Sequence, residues 1–173
     1  VTDQSPDAIV EDSTVEVSVE DELDPALEAG VEAAARQALR ALDLSAVELS
    51  VLLCDDDTIR QLNADWRGKN EATDVLSFAQ DDGEAVALPP GMPRFLGDLA
   101  ISVDTATRQA AEQGHDLSVE LRVLLVHGLL HLLGHDHLEE EQARSMRAEE
   151  ARVLAALGGA TGLVERADPA PHP

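Results

Sequence analysis

The chain contains one cysteine, Cys54, so no intramolecular disulfide and no thiolate-rich metal cluster can form, and no disulfide-linked partner is expected. It has no tyrosine, one tryptophan and two phenylalanines, which leaves Leu, Val and Ala to build the core and favours helix-rich packing over an all-β sandwich. Lysine is almost missing. Lys69 is the only one, and 12 bases stand against 35 acids, for a net charge of −23. Such a field repels polyanions at low salt. It suits a salty cytoplasm, where at molar salt exposed charges are screened within about 3 Å. No apolar run reaches the roughly 18 residues of a membrane span, and no basic-plus-apolar leader opens the chain. The expectation is a soluble cytoplasmic protein with no membrane partner.

What is present is enough for one domain: 173 residues, 44% of them apolar. Residues 1–13 are acidic and lack periodicity, and 159–173 end in a proline-rich run, so both are expected to be loose tails around a single domain at 14–158. Val15, Val17 and Val19 alternate as in a half-buried strand, and Asp24-Pro25 opens a helix to about Leu42. A strand is predicted at 46–54, then a helix capped near Asp55 and stopped by Gly68. Two further strands, Val75 to Ala79 and Leu96 to Val103, flank a loop with Pro89, Pro90, Gly91 and Pro93. A helix follows at about 104–113. Ser118 to Leu133 is apolar almost all the way round, as in a buried helix about 24 Å long. The last helix, about 139–157, carries Met146, Val153, Leu154 and Leu157 on one side. The sum is α+β, with a four-stranded mixed sheet and five helices, one of them central and apolar.

Chemistry concentrates at the end of that central helix, in His127-Gly128-Leu129-Leu130-His131-Leu132-Leu133-Gly134-His135-Asp136-His137. Residues four apart share a helix face, so His127 and His131 can hold one ion. Gly134 permits a left-handed turn, and His137 can return to the same point. Three neutral nitrogens with a fourth position open describe a catalytic metal site, with Zn²⁺ as the expected single ion. Ordinary core histidines are the bland alternative, but two in one otherwise uncharged helix would each need a separate buried partner. Asp136 could accept a ligand's ring proton or simply shape the turn.

The spacing also matches the metzincin proteases, His-Glu-x-x-His-x-x-Gly-x-x-His. Here Gly128 stands where those enzymes carry their general base. A substrate that needs charge stabilisation more than a carboxylate base, such as a phosphodiester, suits the remainder better.

A second cluster, Trp66-Arg67-Gly68-Lys69, sets two scarce cations at a helix end. They could cap the helix dipole, yet the planar guanidinium of Arg67 also fits a phosphate. Asp74 and Asp98 each sit in or beside a strand, where a carboxylate is unusual unless it holds something. Both are candidates for support behind the metal ligands.

Three blocks in order resemble the YbeY family of bacterial endoribonucleases, which act as rRNA maturation factors. They are Leu62-Asn63 through Trp66-Arg67-Gly68-Lys69 to Thr73-Asp74-Val75-Leu76-Ser77-Phe78; Leu96-Gly97-Asp98-Leu99-Ala100-Ile101-Ser102; and His127-Gly128-x-x-His131-Leu132-x-Gly134-His135-Asp136-His137. Trp66, Ala72 and His135 depart from the commoner tyrosine, proline and tyrosine. The resemblance implies a single-strand-specific, zinc-dependent endoribonuclease that processes the small-subunit rRNA 3′ end and serves ribosome quality control. Its partners would be single-stranded RNA, rRNA precursor and the small ribosomal subunit with its proteins. It also implies Zn²⁺ on His127, His131 and His137, and Arg67 as the required arginine. A non-catalytic ribosome assembly factor with structural zinc is the competing expectation, and a metzincin-like protease a weaker one.

Overall fold

In the computed structural model, which describes residues 13–80 and 92–167, apolar side chains at alternate strand positions sort onto the two faces of one sheet. The strands are β1 (Thr14–Val19), β2 (Val47–Cys54), β3 (Val75–Ala79) and β4 (Arg94–Ser102), in the spatial order β1-β2-β4-β3. β1 pairs parallel with β2 and β2 parallel with β4, while β3 runs antiparallel to β4 as an edge. The α+β class and the mixed four-stranded sheet are as the sequence predicts. In β2, Val47, Leu49, Val51 and Leu53 face the main core, and Leu52 and Cys54 face a smaller one, as the two-residue strand period requires. Cys54 Sγ donates to the Ile101 carbonyl at 3.5 Å, and burial pushes its pKa up to about 12, which keeps the thiol protonated and inert.

The main core is covered by α1 (Leu27–Ala41) and α4 (Leu117–Leu132), with α3 (Val103–Gln113) and α5 (Glu140–Ala156) packed on α4. The smaller one is closed by α2 (Asp56–Arg67), through Ile59 and Leu62. Asp55 caps α2 by accepting the Thr58 N–H at 2.8 Å, and Gly68 ends it at φ 68°. The apolar circumference of α4 is buried as expected: Leu124, Leu125, Leu129 and Leu130 are fully enclosed, each contributing about 2 kcal/mol of burial. No helix among the described residues is long and apolar enough to cross a membrane.

Gly128 explains how α4 lies so close to the sheet. A Cβ there would come within 2.9 Å of Leu99 Cδ2 and 3.1 Å of Val75 Cγ2, so a side chain would require these strand side chains to give way. Ser77 Oγ donates to the Gly128 carbonyl at 3.0 Å and locks the approach.

The ends differ from expectation. Residues 159–167, expected to begin a loose tail, instead include a sixth helix, α6 (Leu163–Ala167). Val164 is 5% exposed and joins the main core, with Leu163 beside it, so an apolar pair outweighs the polar composition around it. Ser13 is also tied down: its carbonyl accepts from Arg36 and its hydroxyl from the Val47 N–H. The rest of the expected N-terminal tail, the Pro89-Pro90-Gly91 loop and residues 168–173 lie outside the described residues.

Candidate metal centre

Along α4, positions 120, 127 and 131 fall on one stripe of the helix, and Glu120 and His127 are buried there among leucines. Nε2 of His127 and Nε2 of His131 lie 3.1 Å apart. After α4 the chain turns at Gly134, φ 95°, with the His135 N–H returned to the Leu130 carbonyl at 3.0 Å. Asp136 Oδ1 accepts the His137 N–H at 2.7 Å and shapes the turn that carries His137 back. The His137 ring then stands 5.8 Å from that of His127 and 5.5 Å from that of His131. One ligating nitrogen from each of the three lies within 4.8 Å of the others. Imidazole nitrogens about 2.0–2.1 Å from a tetrahedral ion stand about 3.3 Å apart, so a modest closure by the exposed His137 completes the set.

The feature that sequence reasoning missed is Glu150 on α5. It is 1% exposed, and its Oε1 lies 2.6 Å from His127 Nδ1. A carboxylate there accepts a hydrogen bond from Nδ1–H and leaves the Nε2 lone pair aimed at His131 and the ion position. The other oxygen of Glu150 accepts the Val164 N–H at 3.1 Å. A Cβ on Gly162 would collide with Glu150, so the chain entering α6 must carry glycine where it passes this carboxylate. The signal was present in the sequence: Glu150 interrupts the buried stripe Met146, Val153, Leu154 at a helical interval.

Burial, reinforced by the neighbouring His127 and His137, holds His131 below its usual pKa of 6.5. Its imidazole is therefore neutral at pH 7 and free to ligate. A lowered histidine pKa means that the unfolded chain binds more protons between the folded value and 6.5. This contribution to stability is complete above that window and is lost as pH falls through it.

A cavity of about 440 Å³ opens beside the histidines, lined by Asp74, Gln109, His127, His137, Val164 and Arg166 among others. Asp74 thus lies at the site. Its Oδ1 accepts the Val75 N–H at 2.7 Å and its Oδ2 accepts from Gln109 Nε2 at 3.2 Å. Asp98 lies on the other face of the sheet, where it pairs across strands with Phe78 and lines a separate groove with Leu62 and Trp66. The structure does not bring it to the histidines, because Asp98 alternates with Leu99 and Ile101 of the main core and shares the phase of Ala100 on the smaller one. Arg67 is exposed and, among the described residues, does not line the cavity beside the histidines; it is linked to it only through β3. Its Nη2 donates to the Ser77 carbonyl at 2.6 Å and its guanidinium carbon sits 5.8 Å from the centre of the Phe78 ring, while Ser77 holds Gly128 beside His127. His115, unassigned from sequence, lies 2.5 Å from the fully buried Glu120, which also binds Arg166.

The protease arrangement finds no support in this geometry. Position 128 faces β3 and β4 rather than open space, and a glutamate there would be driven into the sheet.

Fold and site together define an α+β protein with three histidines able to hold a metal ion beside an open cavity. The sequence pattern of the family described as Endoribonuclease YbeY matches residues 10–158, and the chain belongs to that family. It is 49% identical over 123 residues to Endoribonuclease YbeY of Paramagnetospirillum magneticum, which covers 70% of this chain and 75% of the relative. The protein of that name from Roseiflexus castenholzii is 49% identical over 130 residues, 74% of this chain and 82% of its own. The solution structure of TM1509 from Thermotoga maritima shares the fold, with a TM-score of 0.54 at 20% identity over 84% of this chain and 92% of that one.

Proposed function

We propose that this chain is a zinc-dependent endoribonuclease that cuts single-stranded RNA, acting at the small-subunit rRNA 3′ end and in ribosome quality control. The observation that carries the reading is the convergence of His127, His131 and His137 on one point beside an open cavity, in a chain whose relatives are named endoribonucleases. The all-nitrogen donor set, with neutral imidazoles and a carboxylate behind one of them, suits Zn²⁺. Bound there, the ion would supply a Lewis acid and a water of lowered pKa. The chain's own part is to fix the ligands and to receive the strand. Glu150 holds the His127 tautomer, Asp136 shapes the His137 turn, and Arg67 presents a planar cation suited to a phosphate oxygen as charge develops on it. Partners follow from this role: rRNA precursor and the small ribosomal subunit with its proteins, in the cytoplasm.

The test is a substrate panel for protein of verified metal content: single-stranded RNA, duplex RNA and an unfolded protein, at low and high salt. Only single-stranded RNA is expected to be cut. Arg67→Ala should lower kcat by about a hundredfold, the usual cost of losing one transition-state donor. Cleavage at the wild-type rate by that variant would remove Arg67 from the chemistry. Binding of ribosomal particles with no cleavage of any RNA would instead favour an assembly factor with structural zinc.

A further inference from the structure

The α6 segment lies beyond residue 158, where the family match ends, yet it walls the cavity beside the histidines. Its Arg166 side chain is only 10% exposed. Nη1 donates to Glu120 Oε1 at 2.6 Å, but Nε and Nη2 are buried with no partner among the described residues. Gln109, across the same cavity, gives its Nε2 to Asp74 and leaves Oε1 buried and unpaired. An unmet buried hydrogen-bonding group costs about 1–3 kcal/mol, and these three belong to two residues that line one cavity at the candidate active site, so a ligand entering there would find them unpaired. Their chemistry narrows what it is. The Nε and Nη2 edge of a guanidinium is its bidentate fork, which matches two oxygens of a phosphate. Gln109 Oε1 needs a donor, and a ribose 2′-hydroxyl is the donor that distinguishes RNA from DNA. Of the two acids that line the cavity, Asp74 and Glu112, Asp74 already has both oxygens engaged within the fold.

We infer that Arg166 and Gln109 form a subsite beside the three histidines that receives one nucleotide of the RNA strand, its phosphate on the free guanidinium edge and its 2′-hydroxyl on Gln109 Oε1. Among the described residues the guanidinium is held by Glu120 through Nη1 alone of its three nitrogens, and taking a phosphate requires its buried Nε and Nη2 edge to turn to the cavity that Arg166 lines. This inference rests on the ribonuclease reading and adds to it an anchor for the substrate.

The experiment compares wild type, Arg166→Lys and Gln109→Met. Fluorescence anisotropy on metal-free protein measures binding of a single-stranded oligoribonucleotide and its deoxy counterpart, and metal-loaded protein gives KM and kcat on the ribonucleotide. Arg166→Lys keeps a cation on Glu120 but loses the fork, and should weaken both oligonucleotides by about tenfold, the loss of one charge-assisted hydrogen bond. Gln109→Met should weaken RNA alone, narrowing the gap between RNA and DNA. In both variants KM rises with kcat nearly unchanged, as for an interaction made equally before and during the reaction. Gln109→Met leaves the Arg166 and Glu120 pair in place, so it carries the test even if the lysine variant is unstable. Wild type that cuts RNA beside variants with unchanged affinity and KM overturns the subsite alone. Wild type that neither binds nor cuts RNA overturns the ribonuclease reading and the subsite with it.

Discussion

Replacing His131 with alanine should abolish metal retention and RNA cleavage while leaving the protein folded. His131 is partly exposed at the last turn of α4 and lies outside the packed leucines, so its loss opens no large cavity. Two ligands remain, His127 and the exposed His137, the latter on a turn shaped by Asp136. Loss of a supporting group behind a ligand already costs about 10–100-fold in metal affinity, and loss of a ligand should exceed that. Metal content by elemental analysis, with a thermal unfolding curve beside it, checks the outcome. A variant that keeps one ion per chain would show that the histidines are not its principal ligands.

Glu150→Ala should be the most damaging single change behind the metal ligands. It strips the buried His127 Nδ1–H and the Val164 N–H of their acceptor at once. Breaking a buried, hydrogen-bonded charge contact of this kind costs about 3 kcal/mol or more, and α6 should detach with it. Glu150→Gln separates the two effects. Its amide oxygen can still accept from His127 while its NH₂ group opposes the Val164 N–H, so much of the fold survives. The loss of negative charge should weaken metal binding by about 10–100-fold. Urea unfolding of the metal-free protein and competition titration with a chromophoric chelator measure the two terms independently. Unchanged metal affinity in the Gln variant would mean that Glu150 serves packing alone.

Much of this architecture is legible in the sequence because strands and helices have different periods. The alternation of Val15, Val17 and Val19, and of Val47, Leu49, Val51 and Leu53, marks the sheet faces, and the Leu-rich run before Gly134 marks the buried helix. The ligand set is legible for the same reason, since two histidines four apart and a glycine before the third are local features. What stayed hidden depends on contacts distant in sequence. Glu150 is 23 residues from His127, and a lone acid in an amphipathic helix looks solvated until the helix is docked. α6 looked like a tail because only Leu163 and Val164 carry its packing, and two residues give no periodicity. Asp98 and Asp74 read alike as strand carboxylates, but Asp98 shares Ala100's face, opposite Leu99 and Ile101, and lines a different groove. Gly128 was legible as a missing base; that it also lets α4 lie against β3 and β4 needed the sheet in place.

The central claim is that a metal held by His127, His131 and His137 drives cleavage of single-stranded RNA. Its most direct test removes the metal from wild-type protein with a chelator, dialyses the chelator away, and follows single-turnover cleavage of a labelled single-stranded RNA as Zn²⁺ is returned. The expected result is cleavage that vanishes on stripping and returns in proportion to added ion up to one per chain, with no recovery in His131→Ala. Cleavage at the full rate by protein shown to be free of metal, or by the His131→Ala variant, would contradict it.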